Sequence, residues 1–252
     1  MNIAGIPIGS GHPCRTIAEL SNNANGKYEN AITLLNAAKA IGADFAKIQA
    51  YTPHELVALR GDGPAPEPWG SQGWTMWQLY DKAMTPREWF PKLFEHAHGI
   101  GLPLFASVFG AESLALMESL NCPAYKIASL DRDAEGLIDD ARATGKPIVR
   151  SVPYLAPGDD WPNEAMLYCP SGYPQSVMCL AELRDEETGY SGFSYHGTDP
   201  MVPVYAVVAG AKVIECHLQL DTEPSELEAN VSLSVTQFGH MVREIRKVET
   251  ML

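Results

Sequence analysis

Cysteine is scarce and unpaired in this sequence: five residues, at positions 14, 122, 169, 179 and 216, odd in number and without Cys-x-x-Cys spacing. That excludes a disulfide framework and a cysteine-built zinc cage, and fits small thiols buried in a reducing compartment. Basic residues are also short. Eighteen Lys and Arg stand against 31 Asp and Glu, a net charge of −13, which excludes the basic surface that nucleic acid or an anionic membrane requires. No apolar run approaches the ~18 residues of a membrane helix, and the N-terminus lacks a basic-then-apolar leader. The reading is a cytoplasmic protein with no nucleic-acid or membrane partner, in which the sequon at Asn230 is chance. Gly-x-Ser-x-Gly, P-loop, His-Glu-x-x-His and dinucleotide fingerprints are missing too. An acidic balance does not exclude an anionic small molecule, because local lysines and backbone amides hold phosphate inside acidic proteins.

What the sequence does have is a rhythm. Short apolar runs alternate with longer amphipathic ones, as in repeated βα units. Strands are expected at 16–20, 45–49, 103–107, 124–128, 147–151, 164–169, 190–194 and 213–218. Helices are expected at 28–41, 86–101, 110–121, 133–144, 178–188, 200–210 and 234–250. Eight strands in 252 residues predict an α/β fold, a single (β/α)8 TIM barrel spanning 1–252. The stretch between Ser151 and Glu164 is too short and proline-rich for a crossover helix, so helix 5 is expected to be missing or reduced. The glycine- and proline-rich stretch 61–74 reads as a lid over the catalytic face or as a long connection.

Several of these strands finish on polar residues, at the end of a barrel where active sites collect. GFSYH and VIECH close on His196 and His217; other strands carry Glu19, Lys47, Gln49, Lys126 and Ser151, with Ser129 just past a strand end. Side chains alternate along a strand. The apolar Ile214, Cys216 and Leu218 therefore pack under helices, and Glu215 and His217 point inward. The same test groups Glu19 with Ile17, Lys47 with Gln49, and His196 with Ser194. For the histidines, two hydrogen-bonded core residues compete with a pair of neutral imidazoles holding a divalent cation in an open site. For the lysines, pairing with Glu19 or Glu215 competes with a phosphate or carboxylate site in which Ser129, Ser151, Ser171 and Ser194 are neutral donors. Glu19, at a strand end among apolar neighbours, suits a base or water-positioning role.

These residues sit in segments that resemble the N-acetylneuraminate (sialic acid) synthase family, including pseudaminic and legionaminic acid synthases. GHPCRTIAELSNNANG (11–26), GADFAKIQAY (42–51), CPAYKIAS (122–129), TGKPIVRS (144–151), YCPSGYP (168–174), GFSYH (192–196) and GAKVIECHLQLD (210–221) follow in the family's order. The resemblance implies a barrel that condenses phosphoenolpyruvate with a sugar aldehyde, using Mn²⁺ or a similar ion as Lewis acid, and a homodimer. It places His196 and His217 as metal ligands. Lys47, Gln49, Lys126, Ser129, Ser151, Ser171 and Ser194 then fall in the substrate site, and Glu19 is the carboxylate that orients or deprotonates water. Glu228 follows His217 at the spacing of an acidic residue that the family supplies as Asp.

The sequence departs from the family at Ala24 (usually His), Tyr195 (usually Asp before the first metal histidine) and Tyr168 (usually His). The turns at Ser107-Val108-Phe109 and Ser151-Val152-Pro153 also differ. The family's C-terminal antifreeze-like domain has no counterpart before Leu252, so sugar recognition is expected to differ or to come from a separate chain. Two other readings stand beside the synthase: a Schiff-base aldolase built on Lys126, and a non-catalytic phosphoenolpyruvate- or sugar-binding barrel that has lost part of its site.

Overall fold

Eight parallel strands close on themselves in the computed structural model, which describes residues 1–154, 162–175 and 190–251. A small antiparallel pair, Asn2–Ile3 (β1) and Ile6–Pro7 (β2), precedes them. The barrel strands are Arg15–Glu19 (β3), Phe45–Ala50 (β4), Leu104–Val108 (β5), Tyr125–Ile127 (β6), Ile148–Val152 (β7), Glu164–Tyr168 (β8), Gly192–Tyr195 (β9) and Val213–Gln219 (β10). Each pairs with the next, and β10 pairs with both β9 and β3, which closes the ring. All eight lie within two residues of their expected positions.

The helices around the ring are Tyr28–Ala40 (α1), Pro53–Arg60 (α2), Met76–Ala83 (α3), Phe90–Gly99 (α4), Ala111–Ser119 (α5), Glu135–Ala143 (α6), Met201–Val208 (α7) and Val235–Glu249 (α8). A helix must turn sharply to feed the next strand. After α4 that turn falls on Gly101, whose φ of +67° is left-handed and open to glycine at little cost. The helix expected at 178–188 and most of the stretch assigned to the reduced fifth helix lie outside the described residues.

Three elements differ from expectation. The loop-like stretch 61–74 joins two short helices, α2 and α3, and a bridge between Pro64 and Thr75 ties its ends. Both helices begin on a capping box, Thr52 with Glu55 and Thr75 with Gln78, in which each side chain satisfies a backbone N–H at the helix start. Ser232–Ser234 (β11) adds a ninth strand parallel to β10, outside the ring. The hairpin β1–β2 also went unread.

Register decides what fills the barrel. Ile17 pairs with Phe45 and Glu19 with Lys47, while Lys47 pairs with Phe105 and Ser107 with Lys126. Phe45 and Phe105 meet edge to face, with ring centroids 6.1 Å apart. The interior therefore has an apolar floor and, one side-chain layer nearer the strand C-termini, a polar ring. At Gly192 there is no room for a side chain: a Cβ there would lie 2.1 Å from the Val213 carbonyl oxygen. This lets β9 approach β10 closely beneath Ser194 and Glu215.

Candidate active site

The polar ring is a charge network with water excluded. Lys47 and Lys126 are 3% and 2% exposed, and Glu19 and Glu215 are equally buried. The Lys47 ammonium forms an ion pair with Glu19, donates to Ser107 Oγ at 2.8 Å and lies 3.7 Å from Glu215 Oε2. Lys126 Nζ lies 3.9 Å from the other Glu215 oxygen and donates to its neighbour's carbonyl, that of Ile127, at 2.9 Å. Ser194 donates to Glu215 Oε1 at 3.0 Å, and the Ser21 amide donates to Glu19 Oε1 at 2.6 Å.

Burial opposes charge on every member, and partners decide who keeps it. Burial alone would lower the Lys47 ammonium, but Glu19 and Glu215 raise it above the ordinary lysine value. Lys126 has a weaker partner, so burial prevails and its pKa falls below the ordinary value. Burial also works against ionised Glu215, yet Lys126 and Lys47 hold it down at about 2.

A second cluster caps this one. The rings of His196 and His217 face each other with centroids 5.1 Å apart. Tyr173 lies against both, at 5.1 and 6.3 Å. Its hydroxyl donates to Glu228 Oε1 at 2.6 Å, and Glu228 Oε2 lies 3.3 Å from His217 Nδ1. Burial lowers His217, but Glu228 more than offsets it, so the imidazolium is favoured; in return the His217 charge overcomes burial and holds Glu228 at about 2. His196 goes the other way: burial first, then the neighbouring His217, push it down to about 3. Its Nδ1 lies 3.1 Å from the Gln175 side-chain nitrogen and 3.8 Å from Cys169 Sγ.

The expected metal can be tested against this donor set. Among the described residues no three His, Cys, Asp or Glu side chains gather closely enough to hold a cation. His217 turns Nδ1 toward a carboxylate, the arrangement of a metal-ligating histidine. His196 turns Nδ1 toward an amide donor, which is the opposite arrangement. The histidines meet as expected, but as a joint pair of metal ligands they do not fit.

The NeuB family model matches residues 34–156 and 160–252. The chain belongs to the NeuB family. Pseudaminic acid synthase of Helicobacter pylori is 33% identical over 258 residues, covering 93% of this chain and 74% of that protein. Human N-acetylneuraminate-9-phosphate synthase is 27% identical, covering 97% and 73%. A crystal structure of the N-acetylneuraminic acid synthetase from Leptospira borgpetersenii, in complex with citrate, shares the fold at a TM-score of 0.84 and 21% identity, over 100% of this chain and 89% of that one.

Of the residues that NeuB resemblance marked, Glu19, Lys47, Lys126 and Ser194 share one connected network. His196, His217 and Glu228 share the cap. Gln49 donates to Ser21 Oγ at 3.0 Å at the rim. Ser151 is buried with its hydroxyl free of any hydrogen bond, whereas Ser129 lies on the turn after β6, close enough to the Cys169 thiol to hydrogen-bond it. Ser171 is not drawn in: it lies exposed on the loop after β8. Sequence reasoning undervalued Glu215, which bridges both lysines although the alternation in β10 already pointed it inward. It missed Tyr173 and Gln175, which reach the histidines from a loop without periodicity.

Proposed function

We propose that the protein condenses phosphoenolpyruvate with an amino-sugar or related aldose, giving a sialic-acid-like (nonulosonic) keto acid and phosphate. One arrangement carries this reading. Two buried ammonium groups share a chamber with two buried carboxylates at the strand C-termini. The chain also belongs to a family whose relatives include pseudaminic acid synthases.

An anion entering this chamber exchanges one set of carboxylate partners for another. Lys47 and Lys126 take the phosphate and carboxylate of phosphoenolpyruvate, with the Ser107, Ser151 and Ser194 hydroxyls as neutral donors. C3 of phosphoenolpyruvate attacks the aldehyde carbon, and positive charge develops at C2, near Glu19 and Glu215. Glu19 keeps the Ser21 amide on one oxygen, and the other, released as Lys47 turns to the substrate, directs a water to C2 and takes its proton. Collapse of the C2 adduct breaks the C2–O bond and releases phosphate. The two protons of the water end on the new hydroxyl and on phosphate. The enzyme's share is positioning and fixed electrostatics.

Phosphate release from phosphoenolpyruvate, measured over a panel of aldoses with and without Mn²⁺, tests the proposal; absence of turnover with every aldose overturns it. One observation favours a second reading. Burial lowers the Lys126 amine, which is the property of a Schiff-base lysine. Borohydride trapping with a carbonyl substrate separates the two, since the condensation passes through no imine. Tight phosphoenolpyruvate binding without product would instead favour a binding barrel.

A further inference from the structure

Gln175 is buried between the loop after β8 and the end of β9, where its side-chain nitrogen also lies 3.7 Å from Cys169 Sγ. Its oxygen accepts from the His196 N–H at 3.1 Å. Its nitrogen donates to the Pro170 and Ser194 carbonyls at 3.1 and 3.2 Å. Its own backbone N–H donates to the His196 carbonyl at 2.7 Å. The flipped amide would face an N–H with its NH₂ and two carbonyls with its oxygen, so only one orientation is tenable.

That orientation puts an NH₂ group 3.1 Å from His196 Nδ1. The amide nitrogen has no free lone pair to accept a proton from Nδ1, so Nδ1 carries the lone pair and the neutral ring carries its proton on Nε2. A metal ligated through Nε2 needs the reverse tautomer, with Nδ1–H given to an acceptor. We propose that Gln175 is the positioning residue that sets the His196 tautomer, making His196 an Nε2–H donor to a substrate oxygen rather than a metal ligand. Resting on the condensation reading, this gives the aldehyde oxygen its stabilising group: a preorganised N–H that strengthens its bond as negative charge develops there.

The test needs no turnover, so it can fail independently of the condensation. Long-range ¹H–¹⁵N correlation spectra of the full chain report which imidazole nitrogen is protonated. The expected pattern for His196 is a protonated Nε2 and an unprotonated Nδ1; a protonated Nδ1 overturns the proposal. Titration of the same sample with diamagnetic Zn²⁺ supplies a second readout, because direct ligation replaces the Nε2–H of His196 and moves the proton to Nδ1, and that result would also overturn it. Q175E replaces the donor by an acceptor for Nδ1–H and should raise Mn²⁺ affinity by about 10–100-fold. Q175M removes the donor without adding charge and should let Nδ1–H populate. If Q175M leaves the tautomer unchanged, Gln175 does not set it, whether or not Q175E folds.

Discussion

The two ends of the barrel use charge in opposite ways. At the strand N-termini, Asp44 accepts from Arg15 at 3.1 Å, from the Thr16 amide and hydroxyl at 2.8 and 3.1 Å, and from Arg246 at 2.7 Å. Arg246 also pairs with Glu249, which accepts from the Cys14 amide. The cations are arginines, whose planar forks are saturated by these bonds. At the strand C-termini the central cations are lysines; Glu19 Oε2, Glu215 Oε2 and Glu228 Oε2 are held by ion pairs with Lys47 and His217 rather than by neutral donors, and Ser151 Oγ is buried without a hydrogen bond. Native interiors leave few such groups, and each asks for an explanation. The lower network is saturated by hydrogen bonds within the chain; the upper one is not.

The sharpest way to break this comparison is to swap the expected consequences of mutation. E19Q should lower kcat for the proposed condensation, measured on the folded fraction, by about 10²–10⁴-fold, the usual share of a positioned acid or base. D44A should act on stability instead. Asp44 is half-buried and holds charged hydrogen bonds worth about 1.5–3 kcal/mol, so at about 2–4 °C per kcal/mol the melting temperature should fall by roughly 3–12 °C. The kcat of the folded fraction should hold. A D44A variant that melts normally but turns over slowly would erase the distinction between the two ends.

Acid gives a milder test. Glu215 sits at about 2 when folded, against an ordinary value of 4.5, so its stabilisation is present above about pH 4.5 and is lost as pH falls through about 2. Urea midpoints taken between pH 6 and pH 2.5 should therefore decline for the wild type and more shallowly for E215Q. Equal slopes would mean that Glu215 is not held ionised by its lysines. The smallest effect belongs to the exposed pair of Lys27 and Glu223, 2.5 Å apart but open to solvent. K27A should leave the melting curve unchanged within error, since exposed pairs contribute little.

Much of the upper end was legible in the sequence. Alternation in VIECHL put Glu215 and His217 on the inner face, and the register of β3 with β4 places Glu19 opposite Lys47 as that alternation requires. Strand periodicity survives because a one-residue slip would turn the charged ring against the helices and the apolar set into the chamber. The helices α2 and α3 were missed although their capping boxes are written in TPHE and TMWQ. At eight residues each, they offer too little periodicity to stand out from a proline-rich loop. Tyr173 and Gln175 were not legible in any pattern, because their roles arise from where a loop folds back. The divalent ion expected at His196 and His217 rested on their strand-end positions and on the family resemblance, neither of which could show that the Gln175 side-chain nitrogen lies 3.1 Å from His196 Nδ1.

The outlying strand β11 has a consequence for how this scaffold could be diversified. Ser232 sits beside His217 in the register, donates from its hydroxyl to the Glu228 carbonyl and receives the Asn23 amide at 3.0 Å. Glu228 is thereby moored from its C-terminal side, and Ser225 moors it from the other: the Ser225 hydroxyl accepts from the Glu228 amide at 3.0 Å, while the Ser225 amide donates to Gln219 at 2.9 Å. Any redesign of the span from Asp221 to Leu227 should therefore keep Ser225, because the carboxylate that faces His217 is anchored through it.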